Sequence, residues 1–229
     1  LLTGGSFILA SCNDFLDREP LDSVTPDNFF FTENDLAAYA VKHYNFTTHE
    51  GFNAGIWKND NATDNQAATD YDKKWIPGQW KVPEAYDNPA SNDPWYFSAI
   101  REANYFLETV VPRFEKGEIE GSETNIKHYI GEMYFLRAKN YLSKLETFGD
   151  FPIIKNTLPD ESESLIQASK RAPRYKVAHF ILEDLDQAIS LLTNNISGGK
   201  NRITKNAALL LKSRAALFEA SWLTYHKGT

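Results

Sequence analysis

Disulfide bonding is excluded as a source of stability, because the 229 residues hold a single cysteine, Cys12. One thiol has no partner within its own chain, so the fold has to be held by packing. A basic surplus is missing as well: 24 Lys and Arg face 31 Asp and Glu, a net charge of −7. Nucleic-acid phosphates demand clusters of Lys and Arg, so this balance argues against a nucleic-acid partner. No apolar run approaches the ~20 residues that a membrane-spanning helix needs. Abundance lies elsewhere, in five Trp, eleven Tyr and fifteen Phe, together 14% of the chain. A hydrophobic share of 42% beside 24% charged residues is that of a globular protein. The length allows one large domain or two small ones.

Cys12 closes a short apolar run, Phe7, Ile8, Leu9 and Ala10 followed by Ser11. That layout resembles a bacterial lipoprotein signal, in which the chain is cut before the cysteine and the thiol takes a diacylglyceryl group. The stretch starts at Leu1 without an initiator methionine or basic residues, so residues 1–11 read as a signal-peptide remnant outside the fold. A buried thiol that follows small residues by chance is the plainer alternative. Residues 12–26 are polar and irregular and read as a lipidated tether, with the folded body expected over 27–229.

Thr25, Pro26 and Asp27 are a plausible helix start, and Thr32 with Asn34 and Asp35 is an alternative opening of the helix proper; from there Leu36, Tyr39, Ala40 and Tyr44 recur at helical spacing. Residues 45–94 lose that period and hold Gly51, Gly55, Gly78, Pro77, Pro83, Pro89 and Pro94. A structureless connection this long is functional or disordered. Trp57, Trp75 and Trp80 favour an ordered, functional loop region.

Helical period returns at Pro94, with Ile100, Ala103, Asn104, Leu107 and Val111 on one face and Pro112 as the expected stop. A second stripe runs from Ile126 through Met133, Arg137, Ala138 and Tyr141 to Phe148, and Gly149 with Pro152 forbids continuation. Pro173 opens a further run carrying Val177, Phe180, Ile181, Leu185 and Leu192. Thr204 caps the last, with Ala207, Ala208, Leu211, Ala215, Leu217 and Phe218 expected inward. Small residues beside bulky ones, Ala138 with Tyr141 and Ala215 with Phe218, suit stacked helix pairs of tetratricopeptide type. The expected fold class is therefore mainly all-α, with long ordered loops and at most a short strand near residues 151–154.

Familiar chemistry fails on spacing. Gly199 and Lys200 lack the earlier glycine of a phosphate loop, and Asn201 stands where Ser or Thr is needed. Asp60 and Asp64 suggest a calcium loop, but Ala62, Asn65 and Tyr71 break it. A structural Ca2+ in an irregular oxygen-rich site is the one cation this stretch could hold; no other metal and no cofactor is expected. His43, His49, His128, His179 and His226 have no ligand-pair spacing, and no nucleophile motif is present. Paired loop carboxylates could hydrolyse glycosidic bonds, but acids in Asn- and Asp-rich loops mostly face water, so no catalytic residue is assigned and a non-enzyme is expected.

The run Tyr134, Phe135, Leu136, Arg137, Ala138 through Phe148, Gly149, Asp150, Phe151, Pro152 and Ile153 resembles the hallmark helix of the SusD/RagB family of outer-membrane nutrient-binding lipoproteins. Three other segments agree in order. Cys12, Asn13, Asp14, Phe15, Leu16 and Asp17 resemble the family's mature N-terminus. Ile100, Ala103, Asn104, Phe106 and Leu107 resemble its first conserved-pattern helix, and residues 204–217 resemble its repeat helix. Members are usually much longer, so a truncated, N-terminal SusD-like portion is expected.

The resemblance implies a lipid-anchored protein at the outer-membrane surface of a Gram-negative bacterium, lipidated at Cys12. It would capture glycans and pass them to a TonB-dependent transporter of the SusC type. A pyranose offers an apolar C–H face and a rim of hydroxyls, which flat aromatic rings and Asn, Asp or Arg side chains can satisfy. Trp75 and Trp80 are the first choices for stacking, with Asp64, Asn65 and Asp70 as polar partners and Trp57 behind them. These tryptophans could equally pin a long loop to the helices; Trp95, at a helix start, reads as core. The alternatives are a helical-repeat adaptor lipoprotein docking to a membrane protein, or a family member tuned to peptides or glycoproteins.

Overall fold

A computed structural model describes residues 29–44, 46, 76–79, 95–196 and 201–227. Among these residues there are six helices and no strand: α1 Glu33–Lys42, α2 Ser98–Glu115, α3 Glu123–Phe148, α4 Ser162–Ala168, α5 Arg174–Leu191 and α6 Lys205–Tyr225. Every proposed site residue in the loop region, Trp57, Asp64, Asn65, Asp70, Trp75 and Trp80, lies outside the described residues, as does Cys12.

Local chemistry sets most helix ends. Thr32 caps α1 through its hydroxyl, which accepts from the Asp35 amide at 3.3 Å, while the Asp35 carboxylate accepts from the Thr32 amide at 3.0 Å. This reciprocal box satisfies two otherwise orphaned donors. Thr204 caps α6 by accepting from the Ala207 amide at 3.2 Å. Asp150, just past α3, caps α5 from a distance by accepting from the Arg174 amide at 2.7 Å. Gly149 ends α3 at φ +74°, a conformation that costs little without a Cβ.

The helices stack side by side and alternate in direction. Asn104 of α2 meets Arg137 of α3, and Lys127 near the start of α3 lies over the Phe114 ring near the end of α2. Across α3 and α5, Gly131 lies against Leu192, Arg137 pairs with Asp184, and Tyr141 packs on Phe180. Across α5 and α6, Arg174 pairs with Glu219 and Asp186 with Lys212. Each of these three pairs is thus antiparallel, whereas α1 runs parallel to α3, with Glu33 against Asn125 and Tyr44 against Glu132. α3 is central, packed by α1, α2 and α5, and this is why its buried residues run around the helix instead of along one stripe. Buried Ala138, Ala188, Ala208 and Ala215 keep the helices close.

Four local expectations need correction. α2 begins at Ser98 and not at Pro94. Trp95 and Phe97 instead seat their rings on Phe148 and Phe151, which keeps residues 95–97 out of the helix. Pro112 does not stop α2, which continues to Glu115. The proline removes one amide donor, and the last turn is held by Arg113, whose Nη1 donates to the Phe29 carbonyl at 2.8 Å. Leu217 of α6 is 68% exposed and does not face inward. The strand expected near Phe151 reduces to one antiparallel bridge with Ala172.

Candidate functional site

Two buried polar clusters hold α3 in place. Arg137 donates from Nε and Nη2 to the two carboxylate oxygens of Asp184, both at 2.7 Å, and from Nη1 to Asn104 Oδ1 at 2.8 Å and the Lys155 carbonyl at 3.4 Å. Asn104 in turn donates to the carbonyls of Ile154 and Asn156 at 2.8 and 3.3 Å. The Tyr141 hydroxyl accepts from the Ile154 amide and donates to its carbonyl; burial pushes this phenol up to about 12. Burial also pushes the Asp184 carboxyl up, and the guanidinium opposes it. The resemblance motif thus builds a clamp that fixes the chain after α3 against three helices.

The second cluster centres on Glu132, which is fully buried. Its carboxylate accepts from the Tyr44 hydroxyl at 2.6 Å, from His128 Nε2 at 3.1 Å and from Arg202, whose Nε lies at 2.9 Å. His128 Nδ1 accepts from the Thr193 amide at 3.2 Å. These bonds fasten the α5–α6 connection to α3. They leave no group poised to react.

Two cavities flank the first turns of α2, where the chain returns from the 45–94 region. One, of about 370 Å3, is mostly apolar and lies between α2, the clamped segment and α4; Phe97, Ile100, Ile154, Leu158 and Leu165 line it, with Arg101 and Asn156 as polar members. Trp95 borders it but is already engaged with Phe148 at 4.0 Å between ring centroids, and the Arg171 guanidinium lies over its ring at 4.9 Å. The reading of Trp95 as a packing residue is borne out. The other cavity, of about 250 Å3, is polar: Lys42 and His43 from the end of α1, Ala99 and Glu102 from α2, and Met133, Leu136, Lys139 and Asn140 from α3 surround it. His43 Nδ1 and Glu102 Oε2 lie 3.3 Å apart. Burial lowers the His43 pKa, against the pull of Glu102, and burial lowers that of Lys139.

The lining groups that are described were not singled out by sequence. Their one signal is polar residues, Lys139 and Asn140, on a helix buried around its circumference. No group of three or more His, Cys, Asp or Glu able to hold a metal occurs among the described residues, and no helix among them is long and apolar enough to cross a membrane.

Stacked antiparallel helix pairs with lateral cavities define a helical-repeat scaffold. The chain belongs to the SusD-like family described as "Starch-binding associating with outer membrane", which matches residues 14–217. It is similar to SusD-like protein P2 of Formosa agariphila, 25% identical over 186 residues that cover 79% of this chain and 35% of the relative. SusD-like protein P38 of the same organism is 27% identical over 191 residues, covering 81% and 35%. The chain therefore spans 35% of the length of each of these curated relatives. Among solved structures, a SusD-like protein from Bacteroides fragilis is 26% identical, with a TM-score of 0.61 over 88% of this chain and 38% of that one. A SusD-like carbohydrate binding protein from the same organism, 19% identical, shares the fold at a TM-score of 0.60, covering 85% and 39%.

Proposed function

We propose that this chain forms the N-terminal helical part of a cell-surface lipoprotein, anchored through Cys12, that binds oligo- or polysaccharide without cutting it. The bound glycan passes to a TonB-dependent transporter of the SusC type. The observation that carries the reading is the family match across residues 14–217, joined to the helical stack shared with the B. fragilis protein. Cavities on both sides of α2, where the loop region rejoins the helices, support a ligand site there. Trp75 and Trp80 remain the first choices for stacking, with Asp64, Asn65 and Asp70 as hydroxyl partners and Trp57 behind them.

A second reading has its own support. On α6, Leu209, Leu210, Leu217 and Leu223 are 48%, 73%, 68% and 57% exposed, an apolar face suited to docking another protein. Tryptophan fluorescence titrated with oligosaccharides separates the two. A quench or shift with one sugar class, lost in the Trp75→Ala, Trp80→Ala double variant, is expected for glycan capture. Silence with every sugar tested favours docking, and release of reducing ends from polysaccharide would overturn the non-catalytic reading.

A further inference from the structure

The apolar cavity beside α2 has one fixed wall and one that is loosely tied. Phe151 and Ala172 bond to each other through both backbones, so the chain between them leaves and returns at one point. Its first part is held fast. The carbonyls of Ile154 and Asn156 accept from Asn104, that of Lys155 accepts from Arg137, and the Thr157 amide and hydroxyl both donate to Glu108 at 2.8 Å. The second part carries α4, which has no buried residue and packs on no other helix among the described residues. Its side-chain bonds, Gln167 with Glu163, Ser169 with Ile166 and Lys170 with Gln167, stay inside the segment, and Arg171 ties its far end to the Trp95 ring. Leu165 and Ala168 of this helix nevertheless line a space of about 370 Å3 with Phe97, Ile100, Ile154 and Leu158.

We propose that this cavity binds a small apolar carboxylate, an aromatic or short aliphatic acid whose hydrocarbon body fills the space and whose anion meets Arg101. The site goes beyond glycan capture and does not depend on it.

The polar groups at the cavity decide the class of ligand. Asn104 is already spent: its Oδ1 accepts from Arg137 and its Nδ2 donates to two carbonyls. The Ser169 hydroxyl is spent on the Ile166 carbonyl. A sugar lying at the mouth would keep its hydroxyls in water, but one drawn inside would leave them unpaired against these walls, which is costly. A hydrocarbon ring or chain has nothing to leave unpaired, and it restores the contacts that an apolar void forfeits. Arg101 supplies the charge complementarity. It stands one turn before Asn104 on α2, is exposed, and has no hydrogen-bond or carboxylate partner among the described residues. Its planar fork matches a carboxylate with two parallel bonds. The Asn156 side-chain amide, next to Asn104 because its own carbonyl is held there, offers a further donor. A volume of about 370 Å3 falls at the low end of the ~300–1,000 Å3 of small-molecule sites, which suits a single ring. With no buried residue to strip, α4 is the wall that can adjust to the body it covers.

Calorimetry with 3-phenylpropanoate, its neutral amide and acetate tests the site. The acid is expected to bind more tightly than the amide, and acetate is expected not to bind at the same concentrations. Arg101→Gln should weaken the acid by about fivefold, the upper worth of an exposed ion pair, and leave the amide unchanged. Leu165→Asn, at a position 43% exposed, takes apolar area from the wall and should weaken acid and amide together. Neither side chain is buried, so both variants are expected to fold, which circular dichroism checks. A measurement that needs no variant is the upfield shift of the Ile100 and Leu158 methyl resonances expected when the phenyl ring enters. Equal binding of acid and amide, unmoved by Arg101→Gln, overturns the proposal. Acetate binding as well as the acid overturns it, as does acid binding that Leu165→Asn and both methyl resonances ignore. No binding of the acid at millimolar concentration overturns it too. None of the probes is a sugar, so each of these failures leaves glycan capture standing.

Discussion

Arg137 and Lys139 stand two residues apart on α3 and have opposite fates. Arg137 places three of its nitrogens on four acceptors, closing a clamp between α2, α5 and the chain after α3. Lys139 lines a polar cavity, with its ammonium over the Phe46 ring. The contrast teaches where to look for function in this scaffold. The residues that make the sequence familiar are consumed by holding the fold, whereas the cavity is built from residues that no motif marks.

Breaking the clamp is the largest effect to expect. Arg137→Met leaves the Asp184 carboxylate buried without its partner, and removing one member of a buried pair costs about 3–5 kcal/mol. The Arg137→Met, Asp184→Leu double variant should lose less than the single one, because it leaves no uncompensated charge. Denaturant midpoints of the three proteins check this. A double variant as unstable as Arg137→Met alone would show that the guanidinium's bonds to Asn104 and Lys155, and not charge balance, set the cost.

A smaller effect sharpens the packing side of the comparison. A Cβ added at Gly131 would sit 3.0 Å from Leu192 Cγ, 3.1 Å from Leu191 Cβ and 3.2 Å from the Leu192 amide nitrogen. The last of these is backbone and cannot swing aside, so the end of α5 must shift. Gly131→Ala is expected to destabilise by about 1–3 kcal/mol, as overpacking does, despite alanine's better helix propensity. Thermal denaturation reads the sign directly: a rise in Tm would mean that the α5 end yields at little cost.

The helices were legible where the signal is local or periodic. Thr32, Thr204 and Gly149 end their helices by chemistry contained within a few residues, and the stripe from Ile126 to Phe148 covers α3. Pro112 misled because a local rule was outvoted by a tertiary bond from Arg113 to Phe29. α4 escaped notice because none of its residues is buried, so there was no apolar stripe to read. The family was legible because its motif residues bond to one another in space, Asn104 with Arg137 across α2 and α3. The cavity was not. Its members lie at 42–43, 99–102 and 133–140, and each looks like an ordinary helix residue until three helices meet.

The gentlest probe of the comparison is acid. Burial holds His43 below its ordinary pKa in the folded protein, so below about pH 6.5, the unperturbed value, the unfolded chain takes up the proton first. A depressed folded pKa gives stability that is present above the unfolded value and lost as pH falls through the folded one. Stability should therefore drop on acidification, and His43→Gln should flatten that part of the profile measured by denaturant titration at several pH values. A profile that His43→Gln leaves unchanged would place the acid loss elsewhere in the fold and separate this imidazole from it.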